Sequence, residues 1–208
     1  DRKADFAVFR PTEGVWYVLR SSDDAATIVR FGLAGDLPVP ADFDGDGTSD
    51  VAVWRPAPAT QAKFLILNSS TNTLREEAFG QTGDKPTAAD YDGDGKTDIA
   101  VYRDGTWYVL RSSNAQVSIL QFGLAEDKPL PSDFDGDGRT DMSVFRPSDG
   151  TWWVMKSGTN AVSVQQFGAN GDKITPGDYD GDGRTDIAVF RPSTATWWIL
   201  KSSDGSFA

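Results

Sequence analysis

Four aspartates at positions 1, 3, 5 and 9, broken by two glycines, open the stretch DFDGDGTSDVAVWRP at residues 42–56. Side-chain oxygens at those positions let one loop wrap a single hard cation, and the carbonyl of position 7 adds a further oxygen. In the first such loop these are Asp42, Asp44, Asp46 and Asp50, with the carbonyl of Thr48. The phrase returns as Asp90, Asp92, Asp94 and Asp98 with Lys96. It recurs as Asp133, Asp135, Asp137 and Asp141 with Arg139, and as Asp178, Asp180, Asp182 and Asp186 with Arg184. Six or more oxygens with several carboxylates favour Ca²⁺ over Mg²⁺, which keeps its waters. The expected cofactor is therefore Ca²⁺, about four ions per chain.

Electrostatics gives the reason to expect a cation. Four carboxylates make six like-charge pairs, and at ~6 Å and an effective dielectric of ~20 each pair costs roughly 2–3 kcal/mol before screening. A metal-free Asp-Gly hairpin is the competing reading, because these residues also suit tight turns. Glycine at position 6 (Gly47, Gly95, Gly138, Gly183) permits a sharp turn, as in the first half of an EF-hand loop. A true EF-hand or dockerin does not fit: strands flank the loop, and no glutamate stands at position 12.

Composition narrows the chemistry further. The chain of 208 residues carries 31 acidic and 20 basic side chains, a net charge of −11. Nucleic acid and anionic membrane are thereby disfavoured as partners. Four calcium ions would bring the net charge to about −3. There is no cysteine, which excludes disulfides and thiolate metal sites, and no histidine, the usual general base and zinc ligand. No apolar stretch approaches the ~20 residues that span a bilayer, so no membrane insertion is expected.

The loops are positioned by a repeat. After each one comes an apolar strand ending in arginine (Arg55, Arg103, Arg146, Arg191), then a second strand such as WYVLRSS at 107 or WWILKSS at 197. A third strand ends in Phe-Gly at 31, 79, 122 and 167, and a connector rich in proline leads to the next loop. The distance from the first aspartate to the arginine is the same in all four loops. Length varies only in the hairpin between arginine and the next aromatic strand, which belongs at the surface. Strands such as IAVF and WYVL are apolar at consecutive positions, so both of their faces should be buried. The stretch before each loop ends in a small residue (Ala41, Ala89, Ser132, Gly177) with Pro40, Pro131 or Pro176 just upstream, which marks an edge strand.

In the second copy the four strands are expected at about 38–43, 50–55, 62–68 and 74–79. Such units repeated around an axis make an all-β fold, a β-propeller of four-stranded antiparallel blades. A linear β-solenoid is the competitor, though its repeats usually run ~20–30 residues. The units fall at about 1–41, 42–89, 90–132, 133–177 and 178–208, read as a single domain over 1–208. Five blades are represented, the first expected to lack its inner strand and the last its outer one. Closure with five blades and membership of a longer array both fit. In the opening copy, DRKADFAVFRP, only Asp1 and Asp5 remain of the acidic set and Arg2 replaces the position-6 glycine. No competent site is expected there unless upstream residues complete it.

DYDGDGKTDIAVYR and DYDGDGRTDIAVFRP, with the Phe-Gly that closes each unit, resemble the FG-GAP or VCBS-type repeats of integrin-α-like propellers. The resemblance covers essentially the whole chain. It implies calcium in the hairpin between the first and second strands of a blade, stabilising the blade without doing chemistry. It also implies an extracellular protein, secreted or on the cell surface and commonly bacterial, used for adhesion or ligand binding. The units of about 45 residues are shorter than integrin-like blades.

Other recurring residues have two readings each. Trp152–Trp153, Trp197–Trp198, Trp16–Tyr17 and Trp107–Tyr108 suit core packing better than sugar stacking. Arg10, Arg55, Arg146 and Arg191 suit a repeated structural ion pair or hydrogen bond better than an anion site. Asp36, Asp84, Asp127 and Asp172 read as turn formers. The long hairpin at 56–63 is the first candidate for a ligand contact. The sequence thus points to a calcium-stabilised, non-catalytic module for a glycan or protein ligand. The alternative is an assembly protein whose open strand edges join subunits or neighbouring domains of a longer chain.

Overall fold

The computed structural model describes residues 5–57 and 61–208. Asp1 and residues 58–60 of the 56–63 stretch, the expected ligand contact, lie outside them. Every regular element among the described residues is a β-strand, and every strand pair with a defined register is antiparallel. The chain divides after Pro86 into two compact units.

The first unit holds one three-stranded sheet, β1 (Phe6–Arg10), β2 (Val15–Leu19) and β3 (Ala26–Arg30), and one four-stranded sheet. The latter is β4 (Leu37–Pro38), β5 (Val51–Arg55), β6 (Lys63–Leu67) and β7 (Leu74–Ala78). The third sheet runs from β8 (Lys85–Pro86) through β9 (Ile99–Arg103) and β10 (Thr106–Leu110) to β11 (Val117–Gln121). The fourth comprises β12 (Lys128–Pro129), β13 (Met142–Arg146), β14 (Thr151–Met155) and β15 (Val162–Gln166). The fifth has β16 (Lys173–Ile174), β17 (Ile187–Arg191) and β18 (Thr196–Leu200), and a single bridge from Leu200 to Phe207 begins its outer edge. These are the blades of a β-propeller, five represented, with three strands in the first and last.

Two details differ from the sequence reading. The inner strand is short: β4 covers two residues, and the ladder continues only through Val39 N–H to Ala52 O and a bridge from Ala41 to Asp50. Pro38 and Pro40 have no N–H to give, so the ladder cannot be continuous. Burial on both faces holds for the central strands β5 and β9 but fails for the outer strands: every residue of β15 is exposed.

One aromatic device recurs. Trp16, Trp107 and Trp152 are buried, and each indole Nε1–H donates to the carbonyl of the blade's Phe-Gly phenylalanine: Phe31, Phe122 and Phe167 at 2.8–2.9 Å. The second blade has Phe64 at the tryptophan position. Its tryptophan has moved across the strand pair to Trp54, opposite Phe64, and still reaches the Phe79 carbonyl at 3.2 Å. The glycine after each phenylalanine sits at positive φ (Gly32, Gly80, Gly123, Gly168), which explains why only glycine follows there.

Within each unit, the valine in the middle of a blade's second strand sits on the aromatic cluster of the blade before it. Val53 packs on Trp16, Val144 on Tyr102 and Trp107, and Val189 on Phe145 and Trp152. All three valines are fully buried.

Candidate metal centre

Each acidic loop folds around its own first aspartate. Asp42 accepts the Gly45 N–H at 2.6 Å on one oxygen and the Gly47 N–H at 2.8 Å on the other. The same pair of bonds recurs from Gly93 and Gly95 to Asp90, from Gly136 and Gly138 to Asp133, and from Gly181 and Gly183 to Asp178. All eight glycines have φ near +80°, a conformation that turns successive N–H groups inward and that side chains resist.

The fold then gathers the carboxylates. One oxygen each from Asp42, Asp44 and Asp50 lie within 4.8 Å of one another. So do those of Asp133, Asp135 and Asp141, and those of Asp178, Asp180 and Asp186. In the second full loop the group is Asp90, Asp92 and Asp94. Two of these clusters contain an unsatisfied atom: Asp92 Oδ1 and Asp135 Oδ1 are buried without a hydrogen-bond partner. An unpaired buried carboxylate oxygen is costly, and a cation among three carboxylates would satisfy it. The donor set is all oxygen, which suits Ca²⁺.

The ninth-position aspartates also have a mechanical task. Asp50, Asp98, Asp141 and Asp186 have no solvent exposure. Each accepts one backbone N–H from position 2 of its own loop and another from the serine that follows the blade's third strand. For Asp50 these are Phe43 at 2.8 Å and Ser69 at 2.6 Å. For Asp141 they are Phe134 at 2.9 Å and Ser157 at 2.7 Å. Tyr91 and Ser112 serve Asp98, and Tyr179 and Ser202 serve Asp186. Burial pushes the Asp98 and Asp141 carboxyls up despite these bonds. Exposed Asp5, at the equivalent place in the first blade, accepts the Ser21 N–H at 2.8 Å, and that bond holds its carboxyl below the usual range.

The fifth-position aspartates face the same serines. Ser69, Ser112, Ser157 and Ser202 donate their hydroxyls to Asp46, Asp94, Asp137 and Asp182 at 2.7–3.0 Å. The Ser157 hydroxyl lowers the Asp137 carboxyl. Ser70, Ser113 and Ser203 donate to Asp44, Asp92 and Asp180 at 2.6 Å. At position 7, the N–H groups of Thr48, Lys96, Arg139 and Arg184 donate to the fifth-position aspartates. These serines were missed in the sequence reading, although Ser-Ser recurs after the third strand at 21, 69, 112 and 202.

Neighbouring loops in the second unit are tied together. The Thr140 N–H donates to the Asp90 carbonyl, and the Thr185 N–H to the Asp133 carbonyl, both at 2.7 Å. The Arg139 side chain lies over Gly93 and that of Arg184 over Gly136, so close that a Cβ on either glycine would collide with it. The backbone of one loop and the arginine side chain of the next are thereby held together.

Among the described residues, the opposite ends of the strands carry no such clusters. There Asp36, Asp127 and Asp172 each accept two bonds from the guanidinium of Arg55, Arg146 and Arg191 at 2.7–2.9 Å. The same aspartates cap their own turns, accepting the N–H of Leu33, Leu124 and Ala169. The Arg191 guanidinium holds the Asp172 carboxyl below its ordinary value. The other face of the arginine lies on an aromatic ring, Arg146 over Trp153 and Arg191 over Trp198. The turn former and the strand-end arginine are thus two halves of one ion pair.

The FG-GAP-like repeat model matches residues 42–101 and 133–189, more than half of the chain. The chain belongs to the FG-GAP-like repeat family. Both matched segments contain the acidic loops just described. A search of curated protein sequences finds no match. Among solved structures, an Agrocybe aegerita lectin that specifically recognises non-reducing terminal N-acetylglucosamine superposes with a TM-score of 0.62 at 15% identity. The match covers 99% of this chain and 64% of the lectin. Citrobacter koseri AztD matches with a TM-score of 0.50 at 11% identity, over 98% of this chain and 57% of that one. At such identities the likeness is one of fold, and this FG-GAP chain spans less than two thirds of either neighbour.

Proposed function

We propose that this FG-GAP propeller is a calcium-stabilised extracellular binding module for a glycan or protein ligand, without catalytic activity. The observation that carries the reading is the set of four carboxylate clusters, two of them with a buried oxygen lacking any partner. Calcium would be held by Asp42, Asp44 and Asp50, by Asp90, Asp92 and Asp94, by Asp133, Asp135 and Asp141, and by Asp178, Asp180 and Asp186. Asp46, Asp137 and Asp182 at position 5, Asp98 at position 9 of the second full loop, and the position-7 carbonyls are the further oxygens each loop has to offer. Bound there, the ion supplies positive charge that relieves carboxylate repulsion and ties the loop to the hairpin carrying the serines.

The acidic groups are repeated structural parts, four equivalent copies with no histidine or cysteine beside them. That pattern supports binding over catalysis. The family supports an extracellular setting, where calcium is plentiful enough even for weak sites, and the lectin neighbour supports a glycan among the candidate ligands. The test is a glycan array probed with the purified chain in millimolar calcium and again in excess chelator. Calcium-dependent binding to a defined glycan class is expected. Hydrolysis of an array sugar or ester, lost in an Asp-to-Asn variant, would contradict the non-catalytic reading.

A further inference from the structure

Within the second unit, a cleft of about 450 Å³ opens between the third and fourth blades, on the side of the acidic loops. That volume is in the range of small-ligand sites. Its cations are Arg111, which follows β10, Arg139 of the fourth blade's loop, and Lys156, which follows β14. Ile119, Met142 and Met155 supply an apolar wall. Among the described residues its one carboxylate is Asp92, a proposed calcium ligand whose charge the ion would meet. None of the three cations forms an ion pair among the described residues, whereas Arg55, Arg146 and Arg191 each grip an aspartate. Packing accounts for the stem of Arg139, which lies over Gly93, but not for its charge.

The fourth and fifth blades repeat the cleft, at about 550 Å³. There Lys156, Arg184 and Lys201 stand where Arg111, Arg139 and Lys156 stand in the first, each one repeat further on. Val164, Ile187 and Leu200 take the places of Ile119, Met142 and Met155. Lys156 thus lines both clefts. The repeat itself does not require these charges. In the first two blades the same places hold Arg20, already paired with Asp23 at 2.8 Å, and the neutral Thr48 and Asn68.

We infer that the two clefts bind a linear anionic polysaccharide, each taking one acidic sugar and both using Lys156. Cations beside an apolar wall match a sugar ring that carries a carboxylate and presents a C–H face. Two adjacent, equivalent clefts match a polymer whose charge recurs along its length better than a ligand with a single anionic group. On a chain of net charge −11 that recurring charge must be sparse, since the rest of the molecule repels a dense polyanion. This ligand class rests on the binding-module reading, and every arm of its test contains calcium.

The test is titration calorimetry of the full chain with hyaluronan oligosaccharides, which carry one carboxylate per disaccharide, and with their carboxyl-reduced forms. Affinity is expected to rise about tenfold or more from tetrasaccharide to decasaccharide, as the second cleft is engaged. Carboxyl reduction and Lys156→Gln should each weaken the decasaccharide about tenfold or more. Arg111→Gln, at an exposed position of one cleft only, should remove the gain with length. Lys128→Gln, which removes an exposed cation outside both clefts, should change nothing. Matching melting curves and calcium counts verify that the variants are folded. No binding of any oligomer, equal binding of the carboxyl-reduced forms, or full affinity in Lys156→Gln overturns the inference. So does equal binding of a glutamate decapeptide, which would make the ligand a polypeptide. Calcium-dependent binding of neutral glycans beside any of these results leaves the binding-module reading standing; no binding anywhere on the glycan array removes both.

Discussion

A ninth-position aspartate and its third-position neighbour are chemically identical and differ only in what surrounds them. Asp141 accepts two backbone N–H groups in a fully buried site; Asp135 Oδ1 has no partner. Replacement should separate these roles. Asp141→Asn leaves one carbonyl oxygen for two donors and should cost about 1–3 kcal/mol even with calcium removed. Asp135→Asn should leave the calcium-free protein no less stable, because one charge leaves a crowded cluster, and should lower the calcium count by one. Paired denaturant titrations with and without chelator read both effects. The ion pair at the other strand end gives a pH prediction. Because Arg191 lowers the folded-state value of Asp172, its stabilisation is complete above the ordinary carboxyl range and is lost as pH falls through the lowered value. Asp172→Asn should therefore destabilise at neutral pH, and the gap between variant and parent should close toward pH ~2.

At the scale of elements, much was legible in the sequence and the remainder had physical reasons to stay hidden. Apolar runs, Phe-Gly endings and constant spacing located the central strands to within a residue or two. The inner strand was read too long, because prolines that mark an edge also remove its donors. Exposure of β15 could not be read from VSVQQ, since the pattern marks strand but does not say what covers it. The serines escaped notice because their partners lie 14 to 26 residues away, as in Ser112 to Asp98 and Ser70 to Asp44. The strand-end arginines read as ion-pair or hydrogen-bond partners and the aspartates as turn formers; that Asp36 pairs with Arg55 and Asp172 with Arg191 was not legible, because each pair spans 19 residues. The Phe-Gly ending permits a test at this scale. Gly168 has φ +102°, and an added Cβ would come within 3.2 Å of Val189. Gly168→Ala should lose about 1–3 kcal/mol, measured as a fall in Tm.

For the whole molecule, charge and fold are coupled. A chain of net charge −11 concentrates its aspartates in loops that its own backbone N–H groups neutralise only in part. In the second unit these loops also hold each other, through Thr140 to Asp90 and Thr185 to Asp133. Ions bound there would stabilise more than one blade at once, which predicts cooperative melting with calcium and broader, earlier melting without it. Titration calorimetry of the calcium-stripped chain, with melting curves at each ratio, tests the central claim most directly. The account predicts saturation near four ions per chain and a Tm that climbs by ten degrees or more, on the order of the linkage expected at ~1,000-fold excess over Kd. No heat of binding, with identical melting curves in calcium and in chelator, would contradict it.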